Sequence, residues 1–488
     1  MLSSASAGFG AERIEFFVGP FEPTIWVEDL EVLAQDGTVT ERFSGLADRF
    51  DDQELRSLRT FLNASLDVDL ISISQASYWQ VGERFLDRMG QVVQTDNFLN
   101  GSRALRAVLI AAAADGDSIT VLELLQEYPL DVIQLDFPLM QQIIREYQRF
   151  FANRETTVAQ LRTIDDTRNR PLLTTGLQPT QTGPYSWQQE TLNFQNPLRD
   201  GDIPFDVYLP QTAPLSDVNA AASVPIIVFS HGVASGRQAL RYLAQHLASH
   251  GYAVVVPQHY DDNRKYFQFL AGIENPLNPI TLISRPQDIS NLLDKLEQLA
   301  NTRQGYSQLA LDNVGVLGHS LGGFTVLAAA GAELNFELVM QNCSIEDRDR
   351  PSLNPSLLVQ CDLTDLSEQA PFQLQDERIQ AVFALNPPTS LFFGETGLAQ
   401  LDIPTLMMAA TADIVVPAIP EQIEPYRGLQ VEERYLVVME NALVSRGFRH
   451  CLVSAEIVQS RDLQPLRVPT YDDPRPGSAN PTSQSKQF

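Results

Sequence analysis

The chain has little positive charge, few cysteines, no long hydrophobic run, and no histidine in its first third. Lysine and arginine number 34 against 61 aspartates and glutamates, which leaves a net charge of −27. That balance argues against nucleic acid as a partner, because binding phosphates rests on clustered cations, and against charge-driven docking on an anionic membrane. A well-solvated acidic surface accounts for it. The three cysteines, Cys343, Cys361 and Cys451, lack metal-ligand spacing, and an odd number cannot all pair. They leave the redox compartment open. No apolar run is long enough for a membrane span; Ala104 to Ala114 comes nearest, and Arg106 interrupts it. The beginning, Met1 to Ala11, has neither a basic stretch nor an apolar core, although its small residues resemble the end of a signal peptide. It fits a cytoplasmic protein, or a periplasmic or secreted one whose export signal precedes Met1.

What is present is ample apolar mass. At 488 residues and 44% hydrophobic composition, the chain has material for two domains and a large core. Residues 1–165 read as a mainly helical domain. Glu12 to Val18 and Thr24 to Val27 form a small hairpin, and apolar residues then recur at helical spacing through Phe43, Leu55, Leu62, Phe85 and Val108. Asp136-Phe137-Pro138 is a helix cap followed by proline in the first turn. With no histidine before His231, this region lacks the commonest general base. It reads as a cover, a docking surface or a membrane-facing accessory. Residues 166–187 are polar and rich in proline and glycine, a linker.

From residue 188 to 468 the rhythm changes to strand, helix, strand, helix. Thr191 to Phe194 and Phe205 to Leu209 pair antiparallel. Pro225 to Phe229, Tyr252 to Val256, Val314 to Leu317, Ile379 to Leu385, Pro404 to Ala409 and Arg434 to Met439 are continuous apolar runs, as in strands buried on both faces. Helices lie over Gly236 to His250, around Ile289 to Leu299, and over Leu321 to Ala330. The fold class is therefore α/β: a mostly parallel, doubly wound sheet with helices on both faces. Glu333 to Glu377 is an irregular insertion, Arg434 to Met439 the last strand, and 469–488 a disordered tail.

The chemistry concentrates at Gly318-His319-Ser320-Leu321-Gly322, between a strand and an apolar helix. This is the G-x-S-x-G nucleophile elbow in its strand–turn–helix context. A serine hydroxyl is a weak nucleophile and needs a base to take its proton; the base needs an acid to hold its tautomer. Such folds order them as serine, acid, histidine. Of the six histidines, only His450 lies beyond the last strand, so it is the candidate base, with a surface histidine between Arg449 and Cys451 as the alternative. Reaching it requires a long loop, because the place after the last strand where a base ordinarily stands holds Leu443 and Val444. Asp413, after the strand ending at Ala409, is the candidate acid, with Glu395 as the alternative. The oxyanion needs two N–H donors. Leu321, at the start of the elbow helix, supplies one, and Val233, in the loop after Phe229, the other. His231 and His319 are read as hydrogen-bonding loop backbone. His259, beside Asp261 and Asp262, is one imidazole only, too few to specify a metal, and no cofactor is called for.

Phe229-Ser-His-Gly-Val233, Leu247-Ala-Ser-His-Gly-Tyr252, His259 with Asp261, and Gly318-His-Ser-Leu-Gly-Gly323 together resemble the platelet-activating-factor acetylhydrolase and dienelactone-hydrolase-like branch of the α/β-hydrolases. The resemblance covers about residues 185 to 465, and the helical region resembles the N-terminal domain of a bacterial subgroup of predicted hydrolases. It implies hydrolysis of a carboxylic ester by Ser320, with Asp413 as acid and Val233 and Leu321 as oxyanion donors. Dienelactone hydrolases proper use cysteine, so that substrate is not implied. The partner is a small ester, a lipid-like one among the options, and lipase, thioesterase and polyester hydrolase stay open. A degenerate hydrolase fold kept as a binding scaffold is the alternative from another class, motivated by Leu443 and Val444.

Overall fold

Along the strands of the main sheet, neighbouring apolar residues leave on opposite faces, and both faces find cover. The computed structural model describes residues 10–17, 21–67, 70–78, 80–115, 118–166, 181–211, 223–260, 278–343, 354–413, 415–440 and 456–459.

The first region has its own core. Strands β1 (Arg13–Phe16) and β2 (Thr24–Trp26) pair antiparallel as the expected hairpin. Helices α1 (Val27–Asp36), α2 (Glu41–Ala47) and α3 (Asp52–Leu62) follow. Then come β3 (Ser65–Asp67), α4 (Leu70–Tyr78), α5 (Gln80–Val92), β4 (Val93–Gln94), α6 (Ser102–Asp115), β5 (Ser118–Thr120), α7 (Val121–Gln126) and β6 (Val132–Leu135). Local chemistry sets the helix starts. Asp51 and Glu54 form a capping box on α3, and Thr120 and Glu123 form another on α7. Helix α7 thus begins directly after the short strand β5, with Thr120 as its cap. Leu30, Leu33, Phe43, Leu62, Val108 and Ile133 are buried together. Helical spacing under-described this region: β1 also pairs parallel with β6, giving a four-stranded sheet ordered β2-β1-β6-β4. Such short strands, two to four residues each, carry too little alternation to be read alone.

Helix α8 (Phe137–Asp166) leaves this region behind the Asp136 cap, whose carboxylate accepts from the Leu139 amide at 2.9 Å. Near its far end Leu161 is buried in the core of the main sheet.

That sheet holds nine described strands: β7 (Ser186–Phe194), β8 (Ile203–Gln211), β9 (Val224–Ser230), β10 (Ala253–Pro257), β11 (Leu309–His319), β12 (Ile379–Leu385), β13 (Thr405–Ala410), β14 (Arg434–Met439) and β15 (Glu456–Gln459). Their order is β15-β14-β13-β12-β11-β9-β10-β8-β7. The run from β14 to β10 is parallel; β7, β8 and β15 join antiparallel. The strand expected to be last is followed by β15 on the outer edge. Helices α9 (Arg241–Ser249), α10 (Thr281–Thr302) and α11 (Leu321–Ala329) supply cover. Val228, Val255, Val316, Ala384 and Met407 pack with α10 and α11; Phe229, Val254, Leu317, Leu385 and Met408 pack with α9. The alternation is the period-two geometry of a strand, apolar on both sides because helices sit on both sides.

Two segments differ from expectation. Residues 237–240 form turns, so α9 is shorter than its apolar spacing suggests. The insertion after α11 is ordered locally into helices over Phe336–Asn342 and Leu357–Gln360 and a 3₁₀ stretch over Cys361–Gln369. Cys343 and Cys361 form a disulfide across it. The cysteine count had left that pairing open.

Candidate active site

Parallel strands place their carboxyl ends on one edge of the sheet, and Ser320, Leu321, Val233 and Asp413 follow strands that end there. In register, Gly318 of β11 pairs with Ser230 of β9, and His319 with Leu385 of β12. The loops that follow these strands therefore leave side by side.

Ser320 sits between β11 and α11 with φ 55° and ψ −125°. A serine rarely takes that left-handed backbone, and the surroundings enforce it. Its amide donates to the Leu385 carbonyl at 2.8 Å, and its own carbonyl accepts from Gly323 at 2.7 Å. The flanking glycines are sterically required. A Cβ on Gly318 would lie 1.9 Å from the Gly322 carbonyl oxygen, and one on Gly322 would lie 2.0 Å from that of Ser230.

The loop Ser230-His231-Gly232-Val233 crosses directly beside the serine. A Cβ on Gly232 would stand 3.3 Å from the Ser320 Cβ. Among the described residues, neither the Val233 nor the Leu321 amide donates a hydrogen bond. Beneath the loop lies a wholly buried polar network. The Arg285 guanidinium, from α10, donates from Nη1 and Nη2 to the His231 carbonyl at 2.9 Å each. Nη2 also reaches the Gly232 carbonyl at 3.3 Å, and Nη1 the Thr325 hydroxyl at 3.2 Å. The His259 amide donates to His231 Nε2 at 3.0 Å, so the proton of the neutral ring is on Nδ1, 2.8 Å from the Gly232 carbonyl. Ser230 Oγ, His259 and Asp288 form a serine–histidine–carboxylate chain, with contacts of 2.9 and 2.8 Å. All three are fully buried, and the chain ties the loop after β9 to the end of β10 and to α10. Burial, helped by the nearby Arg285 and Arg199 cations, holds His259 well below the usual imidazole range; burial, His259 and Arg285 do the same to His231. Burial pushes Asp288 up to about 6, against Arg199, whose guanidinium donates to it at 2.7 Å.

Asp413 lies just past β13. One carboxylate oxygen accepts from the amides of Val415 and Val416, both at 2.9 Å, and the other from the Asn386 side-chain amide at 3.0 Å. Its charge acts on the ring of His319, the neighbour of Ser320, raising a pKa that burial lowers to about 4. Asp413 and Ser320 are thus held on the same edge. His231 hydrogen-bonds the backbone of its loop, as expected; the His319 ring stands beside that loop, its Nδ1 3.3 Å from where a Gly232 Cβ would lie, and His450 lies outside the described residues. So do Leu443, Val444, Asp261 and Asp262. Glu395 instead falls in the short helix Gly394–Leu398. No group of metal-binding side chains is found among the described residues.

Arg285, Asp288 and Asn386 were missed from sequence. Arg285 had a signal: with Ile289, Leu292 and Leu296 it follows the spacing of one buried helical face, where an arginine needs carbonyl or carboxylate partners. Asn386 had none beyond ending an apolar run.

The chain matches two family models. Residues 10–136 match the family described as alpha/beta hydrolase of unknown function (DUF1400), and residues 180–343 match chlorophyllase. The second match includes the Val233 loop and the elbow and ends before Asp413. No curated protein matches the sequence. With the parallel sheet and its helices, these matches place the chain in the α/β-hydrolase superfamily.

Proposed function

We propose that the protein is a serine hydrolase of carboxylic esters. The observation that carries this is Ser320 in its enforced left-handed turn, with the Gly232-Val233 loop pressed against it. In the proposed reaction the Ser320 hydroxyl adds to the ester carbonyl carbon while the His450 imidazole takes its proton. The oxyanion is received by the Val233 and Leu321 amides. Collapse expels the alcohol, which takes the proton back from the imidazolium; water then repeats the sequence and releases the acid. Asp413 holds the imidazole and balances its transient charge. A glycine at 232 supports the reading because a side chain there would fill the space above the nucleophile. The substrate is a small ester, for which lipid, thioester and polyester chemistry are further options.

A fluorophosphonate probe tests this directly. Wild type labels at Ser320 and hydrolyses p-nitrophenyl acetate or butyrate, and Ser320→Ala loses both. His450→Ala lowers kcat by about 10³-fold or more. Folded wild type that neither labels nor hydrolyses defeats the proposal in favour of a binding scaffold. Hydrolysis unchanged in His450→Ala removes only the assignment of the base.

A further inference from the structure

A trans peptide points its C=O and N–H in opposite directions, so whatever fixes the carbonyl also fixes the amide. The Gly232 carbonyl and the Val233 amide belong to one peptide unit, as do the His231 carbonyl and the Gly232 amide. Both carbonyls face Arg285, which is fully buried and reaches them at 2.9 to 3.3 Å. Both amides therefore face away from α10.

The same guanidinium touches the elbow helix. Arg285 Nη1 is 3.2 Å from the Thr325 hydroxyl, which donates to the Leu321 carbonyl at 2.8 Å. Leu321 carries the other candidate donor. One planar, five-donor group thus spans the two backbones whose amides would share an oxyanion. Lysine could supply the charge but not this geometry.

We propose that Arg285 is the positioning residue of the oxyanion hole: through the carbonyls of His231 and Gly232 and the hydroxyl of Thr325, it sets the Val233 amide at a fixed distance from the Leu321 amide. The His231 ring adds a second clamp on Gly232 at 2.8 Å, and His259 holds that ring. Asp288 and Arg199 close the network from behind, with Asn196 donating to Asp288 at 2.8 Å. Donors aimed before the substrate arrives need no reorganisation when charge develops, which is where such sites gain rate. This role rests on the esterase reading above.

The test is Arg285→Lys in the full chain, assayed with p-nitrophenyl butyrate and with an aryl trifluoromethyl ketone, a mimic of the tetrahedral adduct. Loss of one oxyanion donor costs about 10²- to 10³-fold, so a misaimed one is expected to lower kcat by about 10- to 100-fold. KM stays within about twofold, and inhibition by the ketone weakens by the same factor as kcat/KM, since both report transition-state binding. A merely structural role would lower the unfolding temperature without that matched loss. If Arg285→Lys does not fold, Thr325→Val decides, with an expected kcat loss of about 3- to 10-fold from one bridge removed. Folded variants with wild-type kcat and ketone affinity, in an enzyme whose wild type is active, overturn the role of Arg285 and leave the esterase reading intact. Wild type without labelling or hydrolysis overturns both.

Discussion

Asn386 adopts φ 47°, a left-handed backbone that asparagine tolerates better than most residues because its short amide can bond nearby groups. Its amide N–H bonds the Met408 carbonyl at 2.8 Å, and its side chain donates to Asp413. Conformation and hydrogen bond are separable. Asn386→Gly keeps the backbone and loses the donor; Asn386→Ala loses both. The strain from alanine is about 1 kcal/mol. We expect kcat to fall about tenfold in both variants, with the unfolding temperature lower in alanine than in glycine. Equal kcat in wild type and Asn386→Gly would show that the two backbone amides alone hold Asp413. The placement of Ser320 and Asp413 at the sheet edge was legible because each follows a continuous apolar strand. Asn386 was not, since nothing in a linear sequence says that the end of β12 lies beside the turn after β13.

The strands and helices of the sheet were legible for the same reason that they are stable: runs buried on two faces cannot be mistaken for solvent-facing loops. The insertion was not, because its order comes from the Cys343–Cys361 bond and from a buried carboxylate. Glu421 accepts from the Thr389 amide at 2.7 Å and Ser356 Oγ at 3.0 Å, contacts between segments far apart in sequence. The seam between the β9 and β10 loops and α10 carries a pH signature. His231, His259 and His319 have folded pKa values below the unfolded value of about 6.5. As pH falls below 6.5 the unfolded chain binds protons that the folded one refuses, so stability falls, for His319 until about pH 4. Asp288, raised to about 6, acts in the opposite sense: the folded state takes its proton first, and stability rises between about 6 and 3.8. Three imidazoles outweigh one carboxyl. The unfolding temperature should therefore drop steadily from pH 6.5 to 4, and His319→Gln should flatten part of that slope. A flat profile over this range would mean that these rings are protonated in the folded protein.

At the scale of the molecule, charged contacts among the described residues join the first region to the sheet domain at three places. Arg84 of α5 donates to Asp362 at 2.8 Å and to the Leu358 carbonyl at 3.0 Å, beside the disulfide. Arg154 of α8 reaches the Thr411 carbonyl at 3.4 Å, two residues before Asp413. Further along α8, Arg162 pairs with Glu440, the last residue described before the segment that carries His450. One helix, α8, therefore touches the stems from which candidate acid and candidate base both depart. An accessory cover, as helical spacing alone suggests, would not need to. The exposed Arg162–Glu440 ion pair contributes at most about 1 kcal/mol and the long Arg154 hydrogen bond about as much, so removing these two arginines should shift unfolding only slightly. Catalytic geometry is less forgiving, since displacements of about 1 Å can cost 10²-fold. The double variant Arg154→Ala, Arg162→Ala should keep its unfolding temperature within a few degrees while kcat falls about 3- to 10-fold. KM should stay near wild type, because neither arginine lies in the loop beside Ser320. Full activity in that variant would reduce α8 to a tether. A matched loss of stability and rate would make it part of the core alone. Only a loss confined to kcat makes the first region a structural member of the reaction centre.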